Sequence, residues 1–317
     1  MLRYILRRLC LMLFVLLCVS VITFSLMHVV PGDPAEIIAE QRYGEDATGQ
    51  VVEMVREEKG LDQPLITQYV NWLGGILQGD FGESFRTQRP VFQEIMSRIP
   101  ATAELALAAM AVSLAIAIPV GIISATRQYS FLDNLSTIGA MLGVSVPNFW
   151  LGMILILIFS VHFGWLPVYG RGDLQHLVLV AVTLGTGMAA VTTRMIRSSM
   201  LEVLKQDYIR TARAKGLNEK TVLYKHALKN AFIPVITIVG LQFGALLEGA
   251  VVVEIVFAWP GIGRLLVDSV QARDFPAVQG CVLVIAFIYV VVNLLVDISY
   301  AFLDPKVRLE YRDLLRG

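Results

Sequence analysis

The sequence predicts an all-α integral membrane protein with six transmembrane helices, on three observations. Of its 317 residues, 56% are hydrophobic and only 16% are charged, whereas an ordinary soluble domain carries about 25% charged residues. Uncharged runs recur at lengths that match the roughly 20 residues needed to cross a hydrocarbon core. Charge is also strongly asymmetric once it is divided by side of the membrane, and an odd number of spans would spoil that division.

The first run, Leu9 to Val30, contains no Asp, Glu, Lys or Arg and follows Arg3, Arg7 and Arg8. It is longer than the apolar region of a signal peptide, and the turn cluster Pro31-Gly32-Asp33-Pro34 follows it in place of a small-residue cleavage site. It reads as a retained span whose arginines hold its start in the cytoplasm. Residues 31–99 form the longest polar segment, with six basic and twelve acidic residues. That balance suits the outer side, so the segment is expected to be a small extracytoplasmic domain. Val51, Val52, Met54 and Val55 suit one amphipathic helix there, and Trp72, Leu73, Ile76 and Leu77 another.

Leu105 to Thr126 is the second run, and Arg127 to Asp133 a short loop. Asn134 to Gly170 is free of formal charge over 37 residues, too long for one straight span. Pro147 near its start and the Gly164-Trp-Leu-Pro167 turn near its end predict a broken or tilted third helix with an interfacial tryptophan. Leu174 to Thr193 makes span four, residues 194–229 a basic loop, Asn230 to about Val256 span five, and Ala277 to Val296 span six. The expected organisation is thus residues 1–30 as cytoplasmic N-terminus and span one, 31–99 outside, 100–303 as a transmembrane core containing the cytoplasmic loop 194–229, and 304–317 as a cytoplasmic tail. Counted this way, the inside segments carry a net +10 and the outside segments −6, the direction the positive-inside rule requires.

The 194–229 loop is the most informative stretch. Met200, Leu201, Val203 and Leu204 put an apolar stripe on its first part. Tyr208, Ile209, Ala212 and Leu217 continue the stripe, and Val222, Leu223 and Tyr224 follow. Gly216-Leu217-Asn218 marks a helix stop and restart, which predicts two short amphipathic helices. Such helices can lie flat on lipid or present a face to a partner. A solvated basic loop serving only membrane orientation fits the periodicity equally well.

Several chemistries find no motif. The dipeptide Gly-Lys does not occur, so there is no phosphate-cradling loop of the Gly-x-x-x-x-Gly-Lys-Ser/Thr type. Neither a His-Glu-x-x-His pair nor a Gly-x-Ser-x-Gly elbow is present, which counts against an intramembrane hydrolase. Cys10, Cys18 and Cys281 fall within apolar runs and read as small packing residues. His28, His162 and His176 sit near the outer ends of spans, either as interface caps or as converging ligands, while His226 lies in the basic loop. Charged residues within spans usually face a cavity or a partner. Glu248, deep in span five, is a candidate lining of a translocation path for a cationic or zwitterionic substrate, or else a helix-packing hydrogen bond. Glu104 and Glu254 lie nearer the outer interface, and Asp297 near the inner end of span six.

The basic loop resembles the EAA loop of ABC-importer permeases. Set on Gly216, Ala212, Gly216 and Leu228 match that pattern, while Arg210 stands where the general motif has Glu. The resemblance is closer to the dipeptide, oligopeptide and nickel branch, which shows Tyr208-Ile-Arg-Thr-Ala-Arg-Ala-Lys-Gly216 followed by His226-Ala-Leu-Lys-Asn-Ala231. Further matches run in order along the chain: Pro31-Gly-Asp-Pro34, Gly60-Leu-Asp-Gln-Pro64, Gly79-Asp-Phe-Gly82, Val146-Pro147, Val252-Val-Glu254 and Trp259-Pro-Gly-Ile-Gly-Arg264. The resemblance implies the type I importer permease fold and an ATPase-coupling loop that includes Arg210, Thr211, Ala212, Arg213, Gly216, His226 and Leu228.

It further implies a non-enzymatic permease subunit without cofactor or bound metal, in the bacterial cytoplasmic (inner) membrane with both termini inside. Its partners would be a second homologous permease subunit, two cytoplasmic ATPase subunits or domains, an extracytoplasmic substrate-binding protein and membrane lipid, with no role for nucleic acid. Di- and oligopeptides are the expected cargo. Nickel, a metal chelate or glutathione are the alternatives; Thr87-Gln-Arg-Pro90 and Pro147-Asn-Phe-Trp150 resemble nickel permeases. A stand-alone secondary transporter or channel is the alternative of another class, but it would usually need inverted repeats or more spans.

Overall fold

The computed structural model describes residues 2–29 and 32–303, and side chains at all of these but 2–5, 45, 233, 245, 247, 248 and 299–303. The tail at 304–317 and Pro31 therefore lie outside the described residues. Those described are helical almost throughout, and their one β feature is an isolated bridge between Glu83 and Pro90.

Four helices are long and apolar enough to cross a membrane: α1 (Leu2–Val29), α5 (Val91–Thr126), α8 (Leu174–Leu204) and α13 (Phe275–Leu303). Two bent pairs meet the same test. One joins α6 (Phe131–Ser145) to α7 (Asn148–Leu155) and its continuation Ile156–His162 across a 104° bend. Val146 and Pro147 make that break, because proline cannot donate to the helical ladder and pushes the residue before it towards an extended backbone. Val146 is indeed extended, at φ −83° and ψ 122°. The other bent pair turns by 51° where Pro234 sits inside α11 (Leu228–Val256). With each pair counted as one crossing, the described residues hold six spans.

Several boundaries differ from the sequence expectation. Span two is helical from Val91 rather than Leu105, because α5 carries on into the polar segment with Ile95 and Leu105 buried along it. Span four runs on to Leu204, so Met200, Leu201, Val203 and Leu204 extend a spanning helix instead of opening a separate one. Helical backbone reaches span five from Glu219 onward. Each shift has the same cause: charge marks where a side chain meets water, not where a helix ends.

The described residues divide into two compact units, one drawn from residues 2–102 with 260–290, the other from 103–259 with 291–303. In the first, α2 (Pro34–Tyr43), α3 (Gly49–Glu58) and α4 (Leu65–Leu77) precede α5, and α12 (Ile262–Gln271) precedes α13. Asp33 caps α2, accepting from the Ala35 N–H at 3.0 Å, and pairs with Arg56 of α3. Ile37, Ile38 and Ala39 pack with Val55, Phe85 and Phe275. Buried Asp274 accepts hydrogen bonds from the Ser84 hydroxyl and from the Phe85 N–H at 3.1 Å, fixing the turn after α4 to the start of α13. A second core joins Val91 and Ile95 to Ile262, Leu265, Ala277 and Cys281. In the second unit, α8 packs against α6, α7 and α11. Gly185 of α8 approaches α5 so closely that a Cβ there would lie 2.7 Å from the Ala109 carbonyl oxygen.

Candidate functional site

At the end of α8 the chain breaks at Lys205 and Gln206 and re-enters helix in α9 (Asp207–Ala214). Asp207 in the first turn faces the positive end of the helix dipole. The stop that follows is a Schellman motif. The Gly216 N–H donates to the Arg213 carbonyl at 2.9 Å, and the Leu217 N–H reaches back to the Ala212 carbonyl at 3.4 Å. Gly216 takes φ +75°, the left-handed region in which a side chain is strained. Asn218 restarts the helix by accepting from the Lys220 N–H at 3.0 Å. The new helix, α10 (Glu219–Thr221), runs through Val222–Ala227 into α11. The predicted stop and restart at Gly216-Leu217-Asn218 is thus present as two helices forming a bracket.

Two polar ties hold the arms of the bracket. The Arg213 guanidinium donates to both Glu219 carboxylate oxygens, at 3.2 and 2.6 Å. This pairing pushes the Arg213 pKa further up, so the guanidinium keeps its charge. The Asn230 amide donates to the Tyr208 hydroxyl and to the His226 carbonyl, both at 3.0 Å. The apolar side is buried: Ile209, Ala212, Val222 and Ala227 join Ala117, Ile122, Ile196 and Met200 in one core, which seats the bracket on the ends of α5, α8 and α11. The other side faces out, and the Arg210 side chain is 76% exposed with Asp207 3.7 Å away. Thr211 is exposed with its hydroxyl on the Asp207 carbonyl at 3.0 Å; His226 and Leu228 are half-buried.

Near this bracket lies an ion pair, Asp133 with Arg197, that the sequence pattern does not single out. Asp133 of α6 is 2% exposed. It takes two hydrogen bonds from Arg197 of α8, at 2.7 and 2.9 Å, a third from the Tyr129 N–H at 2.9 Å, and one from Ser124 of α5. Ser130 caps α6 by accepting from the Asp133 N–H. The Ser130-x-x-Asp133 spacing of a capping box was the available signal.

The remaining candidates are dispersed. Glu248 lies in α11, and its side chain is outside the described residues. Glu104 pairs with Arg171 at 2.7 Å, and Glu254 is fully buried. His28 lies 3.4 Å from the Phe24 carbonyl and from the Gln68 amide oxygen, while His176 meets Asp173 at 2.8 Å. Among the described residues, no three His, Cys, Asp or Glu side chains come together as a metal site.

An all-helical, multi-span chain carrying such a bracket defines a class, the membrane permease of the ABC-importer fold. Two solved transporters share the fold. One is described as inward-facing conformations of the MetNI methionine ABC transporter, with TM-score 0.56 and 20% identity over 67% of this chain and 97% of that one. The other is a crystal structure of an amino acid ABC transporter with histidines, with TM-score 0.54 and 13% identity over 67% and 94%. Sequence makes the assignment narrower: residues 117–309 match the binding-protein-dependent transport system inner membrane component, residues 1–106 match the N-terminal component of the same systems, and the chain belongs to this family. Glutathione transport system permease protein GsiC of Escherichia coli strain K12 is 47% identical over 97% of this chain and 99% of its own length, as is that of Shigella flexneri serotype 5b. The chain is a multi-pass permease subunit of an ABC importer.

Proposed function

We propose that this permease forms half of a translocation path for short peptides, paired with a second homologous permease subunit and driven by two ATPase subunits or domains on separate chains. The bracket is the observation that carries the reading. Its buried face grips three helix ends of one unit, and its exposed face, with Arg210, Thr211 and Arg213, is left for a partner. Residues 194–229 then transmit ATP-driven closure to the spans. The segment 31–99, with the loop at 258–276, receives a loaded binding protein outside. Both termini would lie in the cytoplasm of a bacterial inner-membrane system, the orientation that the charge asymmetry supports. Peptides are the favoured cargo because the 47%-identical relatives are named for glutathione, itself a tripeptide.

Arg210→Glu tests the docking face. The side chain is exposed, so the fold tolerates the change. We expect recovery of the ATPase with the tagged chain from native membranes to drop at least fivefold, because the change reverses the charge that this face presents to a partner. Unchanged recovery would place the ATPase contact elsewhere.

A further inference from the structure

A cleft of about 550 Å³ in the first unit opens within the same 31–99 segment that is proposed to receive the binding protein, and is lined from α1 to α4 and the start of α13. Its volume falls in the range of about 300–1,000 Å³ typical of small-ligand sites. One wall is aromatic, with Phe24 and Trp72 at a centroid distance of 5.6 Å and Phe81 nearby. Gln279, from the first turns of α13, is 6% exposed, and its Nε2 donor has no acceptor among the described residues. A buried amide donor is costly to leave unmade, so a carbonyl or carboxylate that reaches it gains more than the same group would on an open surface.

The cleft is also charged. Arg42 and Lys59 stand against Glu57, Glu58, Asp80 and Glu83, which leaves the lining two negative charges in excess. Both cations are already engaged: Glu58 holds Arg42 and Lys59 at 3.1 Å each, and Glu83 lies 3.8 Å from Arg42. Glu57 has no ion-pair partner among the described residues and is exposed at the rim. The lining thus offers a donor for an acceptor at one place, a free carboxylate for an ammonium at another, and flat apolar surface beside them.

We propose that this cleft is a second peptide subsite, separate from the binding protein, for short peptides of neutral or positive net charge. A peptide carbonyl or terminal carboxylate takes the Gln279 amide, the terminal ammonium lies towards Glu57, and an apolar side chain rests on Phe24 and Trp72. Glutathione, with two carboxylates and one ammonium, carries a net negative charge and is disfavoured by the acidic lining. This inference rests on the peptide reading above and adds a charge preference to it.

The test uses the full-length chain with its partner subunits in lipid nanodiscs, without the binding protein, and equilibrium dialysis of three labelled probes: tri-alanine, lysyl-alanyl-alanine and glutathione. The first two are expected to bind saturably and at least tenfold more tightly than glutathione. Glu57→Lys, on an exposed helix surface, should weaken the lysyl peptide at least tenfold and narrow the gap to glutathione. Gln279→Leu, of similar volume, should weaken both neutral and cationic peptides at least fivefold. Absence of saturable binding, binding unchanged in both variants, or glutathione as the tightest probe would each overturn the proposal. Uptake of labelled peptides by cells holding the whole system reads the importer assignment separately. Uptake without cleft-dependent binding removes the subsite and leaves the importer standing. Cleft-dependent binding with no uptake of any peptide does the reverse.

Discussion

Asp133 and Arg197 form an ion pair whose carboxylate is buried. The carboxylate is 2% exposed and takes four hydrogen bonds, two of them from Arg197. Arg197→Ala leaves it charged and buried, a loss of about 3 kcal/mol, at the low end for a broken buried pair because the Arg197 side chain is 28% exposed. Thermal unfolding in detergent should show the drop, and Arg197→Lys should recover only part of it, since one ammonium cannot replace a two-pronged guanidinium. Glu58 predicts an acid effect in the other unit. Its hydrogen bonds from Lys59 and then Arg42 hold its pKa below the usual carboxylate value. A lowered folded-state pKa means the stabilisation is complete above the unfolded value near 4.5 and is lost as pH falls through the folded value. Glu58→Gln should therefore flatten the acid limb of stability against pH, and an unchanged limb would remove Glu58 as its source.

At the scale of elements, close helix contacts and broken helices set the architecture. Gly185→Ala would place a Cβ 2.7 Å from the Ala109 carbonyl oxygen and 2.8 Å from Val112, so α8 and α5 must separate. A cost of about 1–3 kcal/mol is expected from such overpacking, read as a lower unfolding temperature, whereas Gly139→Ala inside α6, with nothing within 4 Å, should hold or slightly raise it, since alanine favours a helix interior over glycine. The break at Pro147 and the bracket turn at Gly216-Leu217-Asn218 were legible in the sequence because both rest on local backbone chemistry that a single residue type declares. The start of α5 at Val91 and the whole of α2 were not. Their helicity depends on partners distant in sequence, such as Phe275 against Ile38 and Cys281 against Ile95. Arg197 looked like one more cation of a basic loop, because only the fold brings it to Asp133.

At the scale of the whole molecule, charge asymmetry and six spans favour one orientation, and in the proposed importer the bracket gives that orientation a use. In the proposed importer, ATP hydrolysis on a partner chain would move this one only if the bracket behaves as a rigid part. Its rigidity rests on Gly216, where a left-handed φ and a donated N–H coincide. Proline there removes the donor and demands φ near −65°. The most direct measurement is ATP-driven peptide uptake into proteoliposomes by the assembled transporter carrying Gly216→Pro, normalised to ATPase subunit bound. Uptake at least tenfold below that of the unaltered transporter, with the spans still folded, is the predicted result. Uptake at the unaltered rate, with the ATPase bound as before, would contradict the account.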